Sequence, residues 1–157
     1  MNYKHLTPEE RESLAILQSR GLVFRDIEEK FGDMMPKWVY FLLGTVAGGF
    51  ARYGLACLVY GWMGTRFPYG TLAVNLIGCF LMGFFDGLAE EKFLLGPNVR
   101  ILLMTGFCGA FTTFSTFMLE TSDLLKAGEF VRASLNVWIS LVAGFVLFLS
   151  GNFLANL

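Results

Sequence analysis

The sequence predicts an all-α integral membrane protein of four transmembrane helices, the third of them broken, behind a small polar extension. Three observations carry that class. Hydrophobic residues make up 55% of the 157, and the mean hydropathy is +0.57. Charged residues are only 16%, against about a quarter in an average soluble domain. Beyond Pro36 the apolar residues gather into four runs of about 20 residues or more, each enough to cross ~30 Å of hydrocarbon at ~1.5 Å per residue.

The composition changes abruptly at Met34-Met35-Pro36-Lys37. Residues 1–34 read as a soluble helical extension, and residues 35–157 as the membrane domain. In the extension, Thr7-Pro8-Glu9-Glu10 is a capping box with proline at the first helical position. It predicts a helix from Pro8 to Arg20, stopped by Gly21, and a second from Phe24 to Phe31, stopped by Gly32. The stretches from Leu6 to Arg11 and from Gly21 to Ile27 resemble the first two helices of the helix-turn-helix in some insertion-sequence transposases. A recognition helix should follow Gly32, but the chain turns into the membrane instead. Nucleic-acid binding is therefore not expected. Met34 or Met35 before Pro36-Lys37-Trp38 also reads as an alternative start, which would make the extension an upstream fragment read in frame.

The first span is expected over Trp38 to Tyr60, the second over Tyr69 to Ala89, the third over Pro97 to about Thr121, and the fourth over Val131 to Asn156. Turn and charge signals fill the connections, from Gly61 to Pro68, Glu90 to Gly96 and Ser122 to Phe130. Trp38, Tyr40, Tyr60, Trp62 and Tyr69 cluster at segment ends, where an interfacial aromatic belt belongs. Gly44 with Gly48, and Gly83 with Gly87, form two GxxxG pairs. In lipid no hydrophobic effect drives helices together, so small residues that admit close backbone approach mark packing faces.

An even number of spans puts both ends of the membrane domain on one side. That side carries Lys37, Lys92 and Arg100, and the other carries Arg66, Lys126 and Arg132. Three against three gives no positive-inside preference, which suits a dual-topology protein pairing antiparallel as a homodimer. Lys4, Arg11, Arg20, Arg25 and Lys30 of the extension would tilt that balance. Cys57, Cys79 and Cys108 each lie in an apolar run without metal-ligand spacing, and read as buried thiols. With His5 the sole histidine and no nucleophile–base pair in view, no enzyme is expected.

The third segment carries the chemistry. From Thr105 to Glu120 it places Gly106 and Gly109 ahead of hydroxyls at Thr112, Thr113, Ser115 and Thr116. Glycine and β-branched residues make a poor helix interior, so a broken transmembrane helix is expected there. Irregular backbone at membrane depth survives only inside protein or beside water. Carbonyls freed at the end of the first half-helix can hold a cation, and N–H groups at the start of the second favour an anion. Phe114, Phe117 and Glu120 fall on one stripe, and a phenylalanine edge carries the positive part of the ring quadrupole. Asn75 shares a face of the second span with Thr71, Gly78 and Met82. Its amide could donate to an anion or clamp a neighbouring helix. Asn136, Ser140 and Gly144 recur every four residues on the fourth span, and Arg52 on the first could draw anions toward a vestibule.

Three stretches now carry a resemblance: Gly48-Gly-Phe-Ala-Arg-Tyr53, Phe67 through Gly78 with its Gly-Thr-Leu-Ala-Val-Asn core, and Gly106 through Phe117 followed by Glu120. Together they resemble the fluoride channel family (Fluc, also called CrcB) over about Lys37 to Leu157. The resemblance implies a passive fluoride channel in the cell (inner) membrane, formed by an antiparallel dual-topology homodimer. It exports cytoplasmic fluoride and so relieves fluoride toxicity. It also implies a structural sodium ion held by the carbonyls of Gly109 and Thr112 from each subunit. The implied fluoride pathway runs along Asn75, Phe114, Phe117, Glu120 and Ser140. Two positions depart from the pattern. The family often has tyrosine where Asn136 aligns, and beyond Ser140 the next track positions are Val142 and Gly144 rather than hydroxyls.

Two other classes are set against this one. A small four-helix proton-coupled drug exporter would need a membrane-embedded carboxylate in its first helix, and the first segment has neither Asp nor Glu. A membrane-anchored DNA-binding regulator lacks its recognition helix.

Overall fold

A computed structural model describes residues 36–90 and 94–157. The two helices expected in the extension, and the domain boundary at 34/35, lie outside the described residues. Helix α1 spans Lys37–Met63 and α2 spans Tyr69–Glu90. Helix α3 covers residues 97–111 in three continuous pieces, an α-turn at Pro97–Arg100, a π-helical stretch at Ile101–Cys108 and a last turn at Gly109–Phe111. Helix α4 spans Phe114–Lys126 and α5 spans Phe130–Ala155. With α3 and α4 joined as one span, four segments among the described residues are long and apolar enough to cross a membrane. The chain is an all-α, multi-pass membrane protein.

The first and third spans run a few residues beyond their sequence-derived ends, while the second and fourth match theirs to within one residue. Helix α1 continues to Met63 and stops where Gly64 turns to φ 77°. Helix α4 continues past Thr121 to Lys126. There Gly128, at φ 76°, lets its own N–H reach the Leu125 carbonyl and the Glu129 N–H reach that of Leu124. Both glycines hold a left-handed conformation that costs a side-chain-bearing residue strain.

Two seams hold the bundle together, and each is made of glycine against backbone. Helix α1 lies on the π-helical stretch. A Cβ on Gly44 would sit against the Leu102 carbonyl and 2.9 Å from the Phe107 nitrogen, and one on Gly48 would meet the Phe107 carbonyl. From the other side, a Cβ on Gly106 would come within 2.9 Å of the Phe41 carbonyl. The first GxxxG pair is thus the bed for a helix wider than an α-helix. The eight-residue π-helix is a feature that periodicity does not reveal. Such i→i+5 turns are rare, usually single, and concentrate at functional sites.

The second seam joins α2 to α5. Gly83 faces the Phe148 carbonyl, Gly87 faces the Ala155 methyl and the Asn152 backbone, and Gly151 faces the Phe80 carbonyl and the Phe84 nitrogen. A Cβ on Gly144 would lie 3.3 Å from the Cys79 sulfur.

The expectation of three buried thiols holds for Cys108, while Cys79 is half-buried and Cys57 is exposed. Cys57 is one position on a helix whose outer face also shows Phe50 and Tyr53. That apolar exterior is what a span bathed in lipid requires.

A clamped break at the centre of the bundle

The break falls at Thr112–Thr113, as the run of hydroxyl residues predicts. Thr112 (φ −79°, ψ 159°) and Thr113 (φ −149°, ψ 111°) are both extended between two helical pieces. Asn75, reaching across from α2, holds the break open. Its Nδ2 donates to the Thr113 carbonyl at 3.0 Å, and its Oδ1 accepts the Thr113 N–H at 2.8 Å. One amide thus engages both backbone groups of one residue. Of the two roles open to Asn75, the clamp is visible. An amide NH₂ has two hydrogens, and the clamp uses one.

That clamp changes what its neighbours can do. In an uninterrupted helix the Thr113 N–H would close onto the Gly109 carbonyl, and the Thr116 N–H onto that of Thr112. Instead Asn75 takes the first. Thr113 Oγ1, as N-cap of α4, takes the second at 3.3 Å. The carbonyls of Gly109 and Thr112 are therefore stripped of their helical donors at the negative end of α3. Neutral carbonyl oxygens at a half-helix C-terminus suit a hard monovalent cation, so these residues fit the sodium ion that the resemblance implies. Thr112 Oγ1 is turned back onto the Cys108 carbonyl at 2.9 Å, which leaves the backbone oxygen, not the hydroxyl, for that role. Gly78 makes the approach possible, since a Cβ there would strike Thr112 Cγ2.

Beyond the break, Phe114 and Phe117 lie with ring centroids 5.8 Å apart at an interplanar angle of 42°. Phe117 is buried, whereas Phe114 is 72% exposed. A further turn along α4, Glu120 points at α2. Its Oε1 accepts from the Tyr60 hydroxyl at 2.8 Å and from Thr71 Oγ1 at 2.9 Å. Its Oε2 is buried without a hydrogen-bond partner. Ser140 Oγ is likewise buried and unpartnered. Asn136 is buried and donates to Thr121 Oγ1 at 2.8 Å, and Thr121 in turn donates to the Phe117 carbonyl at 2.7 Å. At this departure from the family pattern, the amide serves to brace the helix that carries Phe117. Val142 is exposed, off the Asn136–Ser140–Gly144 face.

Glu120 also lines a cleft of about 450 Å³, with Tyr60, Thr65, Arg66, Phe67, Pro68, Asp123, Leu124 and Ala127. Asp123 is paired with Lys126 at 3.1 Å, which leaves Arg66 and Glu120 as the cleft's other charged groups. Arg52, half-buried on α1, does not line it. The structure therefore brings Asn75, Phe114, Phe117 and Glu120 into one run along the break and α4. Four participants were not among the site residues expected from sequence. Tyr60 reads as a belt aromatic, Thr71 as a neighbour on the Asn75 face, Thr113 as one hydroxyl among several, and Arg66 as a loop charge. Only the fold shows what each one faces.

The family model described as CrcB-like protein, Camphor Resistance (CrcB), matches residues 39–152. The chain belongs to the CrcB family. Over 114 residues it is 52% identical to the fluoride-specific ion channel FluC of Chlorobaculum tepidum, a stretch covering 73% of this chain and 90% of that one. It is 47% identical over 127 residues to the protein of that name from Chlorobium phaeobacteroides (78% and 98% covered). With the one from Maridesulfovibrio salexigens it shares 41% over 123 residues (78% and 98%). The matched region contains the clamp, the break and all of α4.

Proposed function

We propose that this chain is a passive, fluoride-selective channel that lets cytoplasmic fluoride leave the cell. The curated relatives are named for that activity, and it is a transport function rather than an enzymatic one. The observation that best supports the reading is the clamped break. It sets the positive end of α4, one spare amide hydrogen of Asn75 and the Phe114–Phe117 pair along one line inside the membrane. Fluoride is small, strongly hydrated and only an acceptor. Amide and hydroxyl donors with ring edges can replace its water along a narrow path that a larger halide does not fit. Nothing in such a path consumes energy, so flow follows the gradient.

The finer reading has three parts. Asn75, Phe114, Phe117, Glu120 and Ser140 line the fluoride pathway, and Ser140's unpartnered hydroxyl is a donor to spare. The carbonyls of Gly109 and Thr112 hold a structural sodium ion, whose charge offsets the helix-end dipole. Two carbonyls from one chain are too few to surround such an ion. Gly109 and Phe114 are moreover exposed in the single chain. Both points support a homodimer that places two breaks face to face, and the even charge balance supports an antiparallel one.

The test is fluoride efflux from liposomes holding the purified protein, with chloride as control. Rapid fluoride efflux without chloride leak, lost on Phe114→Ile, is the expected result. A folded protein that passes neither ion, or both equally, overturns the proposal.

A further inference from the structure

Asn136 stands at a departure from the family pattern, and the fold encloses it almost wholly, with 1% of the residue exposed. Its Nδ2 donates to Thr121 Oγ1 at 2.8 Å, and the Thr121 hydroxyl donates to the Phe117 carbonyl at 2.7 Å. A carbonyl brings no hydrogen, so the single hydrogen of the hydroxyl goes to Phe117, and the side of the amide facing Thr121 must be the NH₂. The two bonds therefore form one relay with one direction. Among the described residues the first of them is the one side-chain hydrogen bond that joins α4 to α5. Phe117 and Thr121, one turn apart, are the two buried residues of α4. The carbonyl at the end of the relay belongs to the residue whose ring pairs with Phe114, at 5.8 Å between centroids.

We propose that Asn136 is a positioning residue for transport: acting through Thr121, it sets the lean of α4 at Phe117 and so the tilt of the ring that passing fluoride meets. The inference rests on the fluoride-channel reading above. A threonine in a helix divides between two rotamers. One of them bonds the hydroxyl back onto the carbonyl one turn earlier, which bends the helix there. The Asn136 amide selects that rotamer, because it offers Oγ1 a donor in the place where the bend is made. Buried bonds in series polarise and strengthen one another, so the amide firms the bond to Phe117 that it does not itself touch. Helix α4 is also held by Asn75 at Thr113 and by Thr71 at Glu120, both from α2. Phe117 lies between those two holds, and Asn136 supplies the third, from α5. A ring attracts an anion at its edge and repels it from its face, so a change in the tilt of Phe117 is a change in its affinity for fluoride.

The test breaks the relay at each of its links and reads efflux against fluoride concentration in liposomes. Wild-type protein must first conduct fluoride; failure there would strike the channel reading, not the role of Asn136. Asn136→Leu removes the amide, and Thr121→Val keeps the shape of threonine without its hydroxyl. Each should raise the half-saturating concentration about three- to tenfold, the effect of losing one neutral hydrogen bond. The double variant should do no more than either alone, since both act on one chain of bonds. Thr121→Ser, which keeps the hydroxyl, should stay near wild type. A rise in Asn136→Leu that Thr121→Val does not share overturns the proposal, because the amide would then serve the ion directly. Rises that add in the double variant, or a Thr121→Ser that behaves like Thr121→Val, overturn it as well. If Asn136→Leu does not fold, the two Thr121 variants decide alone: a half-saturating concentration unchanged in conducting Thr121→Val would leave the relay a matter of stability only, and the proposal would be wrong.

Discussion

Replacing Asn75 with leucine, close in shape and without donors or acceptors, tests the central feature of the fold. The wild-type amide makes two hydrogen bonds to one residue, at 3.0 Å to the Thr113 carbonyl and 2.8 Å from its N–H. Leucine leaves the Thr113 N–H without a partner at membrane depth and removes one bond from its carbonyl, which as the N-cap carbonyl also opens the α4 ladder. An orphaned N–H costs about 1–3 kcal/mol and a lost hydrogen bond about 0.5–1.5 kcal/mol, so holding the break open would cost about 1.5–4.5 kcal/mol. An average interhelical side-chain bond in a membrane protein is worth only ~0.6 kcal/mol, so the clamp should stand out. The chain has one escape. The Thr113 N–H can fall back onto the Gly109 carbonyl and close the helix, recovering part of the energy while destroying the break. The two routes read differently. Denaturant titration in detergent reports the first as lost stability, and liposome efflux reports the second as lost conduction. Asn75→Leu protein within about 0.5 kcal/mol of wild type that still passes fluoride would refute the idea that Asn75 holds the break.

Adjacent glycines on α1 supply a second test with its own control. A Cβ on Gly48 would run into the Phe107 carbonyl, while one on Gly49 meets nothing within 4 Å. Backbone cannot swing aside, so Gly48→Ala should cost about 1–3 kcal/mol in overpacking, whereas Gly49→Ala should be neutral or gain up to about 1 kcal/mol of helix propensity. Equal stabilities for the two by detergent unfolding would refute the close-packed seam. For the proposed sodium ion, Thr112→Val keeps the methyl that fills the Gly78 notch and the backbone carbonyl, and removes only the hydroxyl that bonds Cys108. Thermal unfolding of this variant should keep any stabilisation by sodium over a large organic cation that the wild type shows. Loss of it would mean that the hydroxyl, not the carbonyl, faces the ion.

The spans, both glycine pairs and the position of the break were legible because each rests on a local property. Length and apolarity define a span, and glycine at four-residue spacing defines a close-packed face. A run of threonine and serine after glycine marks backbone that prefers not to continue as helix. The π-helix at Ile101–Cys108 was not legible. Nothing in its residues marks i→i+5 bonding, and the wider winding shows only where α1 offers Gly44 and Gly48 to the Leu102 and Phe107 carbonyls. Asn75 could be placed on the right face, but not assigned between clamp and donor, because that depended on which peptide would lie opposite. Tyr60 was misleading for the same reason. An aromatic residue at a helix end fits an interfacial belt by position alone, and only the bare α-carbon of Gly70 turns its ring inward.

The break shows how little side-chain chemistry this site needs. No cluster of His, Cys, Asp or Glu fit for a metal exists among the described residues, and the groups bonded at the break itself are an amide, hydroxyls and the backbone. A single asparagine decides which backbone groups are spoken for. By taking the Thr113 N–H it strips Gly109 of its donor, and by leaving Thr113 extended it lets that residue's hydroxyl cap α4 and strip Thr112 as well. The negative end of one half-helix and the positive end of the other are thereby created by the same contact, on opposite sides of one peptide. A cation preference and an anion preference at this break are therefore not independent features. Whatever unclamps Thr113 should weaken both together, which is why stability and conduction have to be read in the same Asn75 variant.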